Sequence, residues 1–316
     1  MKLKILRRGI MMIKRKLIID TDPGIDDAVA IAIAINSDAF DIMLISTVMG
    51  NVNVDKTTLN ALKLVNFFKN NVKVAKGSCA PLIKEMTEAK DVHGESGMDG
   101  YQFTDLSDKN LINGNAINEI SHILLKNDDV TLCAIGPLTN IALLLKMYPE
   151  VKPKIKELVL MGGSITRGNK GVMSEYNFYS DPEAAKIVFN SGINIVMVPL
   201  DVGLKALVYP EDSLKIKAMN KTGEMIYSLF QHYRGFGIKN GLKMYDSCAI
   251  AYLLKPEMFE VVDTFVDIET NGTYTSGASI VDLKNYLKKE SNAKVCIDIN
   301  QEMFKEWFLE SINKCI

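Results

Sequence analysis

The chain has 316 residues, 47% hydrophobic and 24% charged, with 37 Lys and Arg against 38 Asp and Glu for a formal net charge of −1. That is ordinary globular material with enough residues for an ample core. The balanced charge argues against nucleic acid or an anionic membrane as the main partner. Cys79, Cys133, Cys248, Cys296 and Cys315 form no Cys-x-x-Cys pair, which argues against a zinc site or a disulfide framework and fits a reducing cytoplasm.

Residues 1–16 read as a basic N-terminal extension, open to disorder and without a catalytic part. Arg7, Arg8, Lys14, Arg15 and Lys16 break the uninterrupted apolar core that a signal peptide needs. Met11 and Met12 stand just before the first strand and mark a possible internal start. No apolar run of about 18 residues follows, so no membrane span is expected. One domain is expected over 17–316.

Leu17 to Ile19 is short and apolar and reads as a buried strand. Pro23-Gly24 is turn chemistry, and Ala28 to Ala34 reads as a buried helix. Ile42 to Val48 is a second strand, closed by Gly50-Asn51, and Asp55 to Asn70 has helical spacing. A short strand at Val72 to Val74 precedes a long loop region, 77–110. Helix is expected over Ile112 to Lys126 and strand over Val130 to Ile135, closed by Gly136-Pro137. The next helix runs from Thr139 to about Tyr148. Leu158 to Met161 is a strand ending in Gly162-Gly163, and Asp181-Pro182-Glu183 opens a helix by a cap-plus-Pro signal. Ile195 to Val198 is a strand ending near Asp201. The segment 211–254 reads as mostly helical, interrupted from Arg234 to Gly241. Strands near Phe265 to Glu269 and Lys294 to Ile299 precede a terminal helix carrying Trp307. Alternating strands and helices predict an α/β fold: a Rossmann-like, open, mostly parallel sheet with helices on both faces.

The chemistry concentrates in the opening stretch. Asp20, Asp22, Asp26 and Asp27 lie within eight residues, at a strand's carboxyl end and in the first turn of a helix. Open α/β sheets bind ligands there. Four like charges so close need a cation, and a hard divalent ion, Mg²⁺ or Ca²⁺, suits carboxylate oxygens. Further polar residues recur where strands end: Asn51, Thr139-Asn140, Glu175, Asn177, Asp201 and Asp246. A pocket of carboxylates and amides with few cations suits a metal plus a polyhydroxyl ligand better than a phosphate.

Asp20-Thr-Asp-Pro-Gly-Ile-Asp-Asp27 resembles the signature of the inosine–uridine-preferring nucleoside hydrolases. The resemblance continues through Thr47-Val-Met-Gly-Asn51, His93-Gly-Glu-Ser-Gly-Met-Asp-Gly100, Ile135-Gly-Pro-Leu-Thr-Asn140, Leu160-Met-Gly-Gly163, Glu175-Tyr-Asn177 with Asp181-Pro-Glu-Ala-Ala185, and Asp246. It implies the nucleoside hydrolase fold and a Ca²⁺-dependent cleavage of the N-glycosidic bond of ribonucleosides, pyrimidine or purine, to ribose and free base. By position it implies Ca²⁺ on Asp22, Asp27, Asp246 and the main-chain carbonyl of Ile135, with Asp22 also the general base. It implies ribose contacts from Asp26, Asn51, Asn169, Glu175 and Asn177, with Met161 packing nearby, and a cytoplasmic homodimer or homotetramer.

The sequence departs from the family on the base side. The family's usual His before the last metal-binding Asp is replaced by Tyr245. A phenol titrates near pH 10 and stays protonated at neutral pH, so it can donate to the leaving group, but it is a different acid from imidazolium. His93 matches the loop histidine of the pyrimidine-preferring branch, and the helical segment around His232, Tyr233 and Arg234 is placed to close over the base. Two other readings compete. The Tyr245 replacement fits a nucleoside- or ribose-binding protein with little turnover. The Asp-x-Asp after an apolar strand fits an aspartyl-nucleophile phosphatase, although Pro23-Gly24-Ile25 stands where that family has Thr, and Asp26-Asp27 has no part in that scheme.

Overall fold

A computed structural model describes residues 13–233 and 240–316. Among them the chain runs β1 (Arg15–Thr21), α1 (Ile25–Asn36), β2 (Phe40–Thr47), α2 (Val54–Phe67), β3 (Val74–Lys76), α3 (Lys90–His93), β4 (Leu111–Asn115), α4 (Ala116–Lys126), β5 (Val130–Ala134), α5 (Thr139–Met147), β6 (Ile155–Met161), α6 (Tyr176–Ser180) and α7 (Pro182–Phe189). It continues through β7 (Ile195–Val198), α8 (Leu200–Gly203), β8 (Leu207–Val208), α9 (Pro210–Lys217), α10 (Lys221–Phe230), β9 (Leu242–Lys243), α11 (Tyr245–Leu254), β10 (Phe259–Thr264), β11 (Val266–Ile268), β12 (Ser279–Val281), β13 (Ala293–Ile299) and α12 (Gln301–Asn313).

Nine strands form the main sheet in the order β10-β13-β7-β6-β5-β1-β2-β3-β4. All neighbours are parallel except β10, which runs antiparallel to β13. Alternation along β1 sends Leu17 and Ile19 into one core with α1 and α11, and Ile18 into the other with α4 and α5. Both faces are therefore covered, as parallel strands require. From β1 the chain builds outward through β2, β3 and β4, then returns to lay β5 on the other side of β1. The β1/β5 boundary is thus the switch point where such sheets bind ligands.

α1 is buried at every position from Ile25 to Ala34. Its Ala and Ile residues let it pack closely against the sheet and its neighbours α11 and α10. A helix apolar all round belongs in an interior.

Several boundaries differ from the sequence reading. β1 starts at Arg15, so Arg15 and Lys16 belong to the sheet and not to the N-terminal extension; residues 1–12 lie outside the described residues. The expected helix from Ile112 begins at Ala116, because Leu111–Asn115 forms edge strand β4 beside β3. The expected strand near Phe265 is β11, which pairs with β12 in a small separate sheet, while the unpredicted β10 extends the main one. The segment 211–254 divides into α9, α10 and α11 with the short β9 before α11. Of its interruption, 234–239 lie outside the described residues.

Candidate active site

The acids of the opening stretch converge beyond the carboxyl end of β1. Asp22 is held by its surroundings: Asn51 N–H donates to its Oδ2 at 2.7 Å, while its buried Oδ1 has no hydrogen-bond partner. A Cβ on Gly50 would stand 2.0 Å from that Oδ2, and one on Gly136 2.6 Å from Oδ1. Only glycine fits beside this carboxylate at either position.

Asp27, in the first turn of α1, accepts from Thr21 Oγ1 at 2.6 Å, Gly24 N–H at 2.9 Å and Asn51 Nδ2 at 3.1 Å. Asp246, in the first turn of α11, hydrogen-bonds to Asp27. Carboxylate oxygens of Asp26, Asp27 and Asp246 come within 4.8 Å of one another. Burial, then the charge of Asp27, raises Asp22 well above the usual carboxylate range. Burial, then the charges of Asp26, Asp27 and Asp22, does the same to Asp246, and burial raises Asp27. Such a cluster is stable only with a proton or cation shared among the carboxylates. An all-oxygen donor set with an orphaned buried carboxylate oxygen fits a hard divalent ion. The closest trio contains Asp26, which the sequence reading placed on the ribose, and Asp22 stands within electrostatic reach of Asp27 and Asp246.

Asp20 lies behind this group. Its Oδ1 accepts from Ser46 Oγ at 2.6 Å and Asn140 Nδ2 at 2.8 Å, and its Oδ2 is buried without a partner. Burial pushes its carboxyl up to about 6.

Every residue that the family resemblance placed in the site, apart from the fully buried Asp27, lines one pocket, whereas Asp20, Thr139 and Asn140 do not. Asn177 Nδ2 donates to the carbonyl of Ile135 at 3.3 Å and to that of Met161 at 3.0 Å. Glu175 is the N-cap of α6; its carboxylate accepts from the N–H groups of Asn177, Gly163 and Phe178. Burial nevertheless pushes its pKa up to about 7. Asn169 Oδ1 accepts from Tyr176 N–H at 2.9 Å.

Tyr176 also lines the pocket, and sequence reasoning missed it. Its hydroxyl lies 2.8 Å from the carbonyls of both Gly50 and Thr87, so one phenol ties the ribose side to two loops. The only signal was its place inside Glu-Tyr-Asn. Asp91, Val92 and Lys170 join the lining without any signal in the sequence.

On the base side, His93 ends α3 and its Nδ1 accepts from Ile25 N–H at 3.0 Å. That bond assigns the ring proton of the neutral imidazole to Nε2. Tyr233 packs against it, with ring centroids 5.4 Å apart, and lines the pocket. His232 is exposed, next to the carbonyl of Ser228, and Arg234 lies outside the described residues. Tyr245 is the first residue of α11 and is buried; a Cβ on Gly203 would stand 2.2 Å from its Cδ1, so α8 passes close under the ring. Asp201 is not part of the pocket lining; it accepts from Ile165 N–H and Thr166 N–H and pins the loop after β6.

Residues 17–306 match the family model described as inosine-uridine preferring nucleoside hydrolase. The chain is 47% identical over 294 residues to the non-specific ribonucleoside hydrolase RihC of Escherichia coli O127:H6, covering 93% of this chain and 97% of that one. It superposes on the purine-preferring ribonucleoside hydrolase from Gardnerella vaginalis with a TM-score of 0.87 at 28% identity, covering 95% and 98% of the two chains. On an inosine-guanosine nucleoside hydrolase the TM-score is 0.90 at 27% identity, covering 96% and 100%.

Proposed function

Because the chain belongs to the inosine-uridine preferring nucleoside hydrolase family, we propose that it hydrolyses the N-glycosidic bond of ribonucleosides, purine and pyrimidine, with Ca²⁺ as its resident ion. Family membership sets aside the phosphatase reading; the turnover panel below decides against a binding protein of the same fold. The observation that carries the proposal is the buried acidic cluster beyond β1: oxygens of Asp26, Asp27 and Asp246 lie within 4.8 Å of one another, and Asp22, within electrostatic reach of them, has a buried Oδ1 without a partner. Asp22, Asp27, Asp246 and the Ile135 carbonyl would hold the ion, with Asp26 close enough to join them. When bound, the ion would acidify a water and orient the ribose hydroxyls.

The chain's own residues supply the rest. Asn51 fixes one oxygen of Asp22, which leaves the other to accept the proton of the attacking water. Asp26, Asn51, Glu175, Asn177 and Asn169 surround the sugar, where their oxygens oppose the positive charge that builds on an oxocarbenium-like ribose. Fixing every hydroxyl also orients the anomeric carbon. A 2′-deoxyribonucleoside leaves a buried polar group unpaired and is turned over far more slowly. At the base, Tyr245 and the Nε2–H of His93 are the leaving-group donors.

A steady-state panel of uridine, inosine and p-nitrophenyl riboside, with and without a calcium chelator, tests this reading. Turnover of all three that is lost on chelation and restored by Ca²⁺ is expected. No turnover of any substrate with Ca²⁺ bound would sink it. Tyr245→Phe separates the acid from the sugar chemistry: nitrophenolate leaves unprotonated, so that substrate should keep its rate while uridine and inosine slow at least tenfold. Equal slowing of all three would remove Tyr245 from the donor role.

Among the described residues all five cysteines are unpaired, and no helix is long and apolar enough to cross a membrane. The free thiols support a reducing, cytoplasmic setting. The family resemblance implies a homodimer or homotetramer, which sedimentation equilibrium would test.

A further inference from the structure

We propose that His93 is a positioning residue for the cation-binding acids, capping helix α1 from a distant loop, so that cation affinity and order in the base-side loop are one coupled equilibrium. The inference rests on the cation reading above and adds to it.

The N-cap of α1 is Gly24, which has no side chain with which to cap it. The first N–H groups of a helix have no partner within it, and Ile25 is fully buried, so its N–H cannot turn to water. An orphaned buried donor is costly. His93, 68 residues away, supplies the missing acceptor through Nδ1. The backbone is shaped for this approach: a Cβ on Gly24 would lie 2.6 Å from His93 Nδ1 and 2.8 Å from its Cε1. Glycine therefore opens the path by which a side chain from elsewhere takes over the capping role.

The turn being capped carries Asp26 and Asp27. With no cation present, their repulsion with Asp22 and Asp246 works to spread this turn. The His93 bond, with that of Gly24 N–H to Asp27, opposes the spreading and keeps the oxygens gathered before the ion arrives. The same loop has a second tether. Ala89 N–H donates to the carbonyl of Asn51 at 2.9 Å, and Asn51 bonds both Asp22 and Asp27. A loop tied at both points to the acid-bearing segments must respond to whatever orders them, and linkage makes the effect reciprocal.

The two ring nitrogens have different jobs, so they can be separated. Asn places its amide oxygen near the position of Nδ1 and reaches no further. Gln places its amide oxygen and nitrogen near Nε2 and leaves only its amide carbon, which accepts no hydrogen bond, near the position of Nδ1. Ca²⁺ is titrated by calorimetry into chelator-stripped wild type, His93→Asn, His93→Gln and His93→Ala. Hydrogen exchange of residues 89–97 is followed with and without Ca²⁺. His93→Asn should bind within about twofold of wild type, while His93→Gln and His93→Ala bind roughly five- to tenfold more weakly, the scale of a lost helix cap. Ca²⁺ should slow exchange in the loop of wild type and His93→Asn, and leave it fast in the other two. Should His93→Ala fail to fold, the Asn and Gln pair carries the comparison. Wild-type affinity in His93→Gln, or equal weakening in His93→Asn, would overturn the capping role alone. A wild-type protein that bound no divalent cation would overturn this inference and the cation reading together.

Discussion

Gly50 and Gly136 hold the Asp22 carboxylate between them, with no room for a methyl group on either side. Gly50→Ala should therefore displace Asp22 and cost about a hundredfold in kcat, the scale of an ångström's misplacement, while circular dichroism stays that of wild type. On the proposed mechanism Asp22→Ala removes the base and an ion ligand together, and it should leave under a few per cent of activity in a steady-state assay. Asp20 gives a pH prediction. Its folded pKa, raised to about 6 from 3.8, means the fold prefers the protonated form. Its stabilising contribution is complete below about pH 4 and is lost as pH rises through 6. Denaturant unfolding of Asp20→Asn and wild type should diverge over that window, shifting by about 3 kcal/mol in favour of the variant by neutral pH; a difference independent of pH would refute it. These acids were legible because a carboxylate cluster has few other uses. Tyr176 was not, because its phenol takes its meaning from two carbonyls, Gly50 and Thr87, that only the fold brings to it. Nor could the sequence show that Asp26 stands closer to Asp27 and Asp246 than its assigned ribose contact implied.

Asp181 illustrates how single side chains bind elements together. It caps α7 through Ala184 N–H at 3.0 Å, and it also accepts from Leu82 N–H at 3.0 Å and Thr139 Oγ1 at 2.6 Å. The cap could be read from Asp-Pro-Glu; the other two bonds, to a loop and to α5, could not. Asp181→Ala should lose roughly 2–4 kcal/mol in denaturant unfolding, since a cap and two further partners go at once. β10 and β4 escaped the sequence reading for a common reason. Both are edge strands with solvent-facing positions, so neither shows the continuous apolar run that made β1, β5 and β7 visible. The packing of α8 under α11 was equally hidden, since Gly203 says nothing until the Tyr245 ring lies across it.

Across the whole molecule, the proposed ion would link site to stability. A ligand that binds only the folded chain adds about 2.7 kcal/mol at a hundredfold excess over its Kd. Calcium should therefore raise the melting temperature of chelator-stripped protein, and an unchanged melting curve would argue against a structural grip on the ion. The parallel α/β plan was legible because strands and helices alternate along the chain. The strand order was not, since periodicity carries no information about which strands become neighbours. That order has a consequence for synthesis. β1 is the first described strand, yet it ends in mid-sheet, and its partner β5 is translated more than a hundred residues after it. At roughly 5–20 residues per second, one edge of β1, together with the acids just beyond it, stays unpartnered on the ribosome for several seconds at least. During that interval the nascent chain presents an open apolar strand edge, and chaperone access to its first 130 residues should govern how much enzyme a cell recovers.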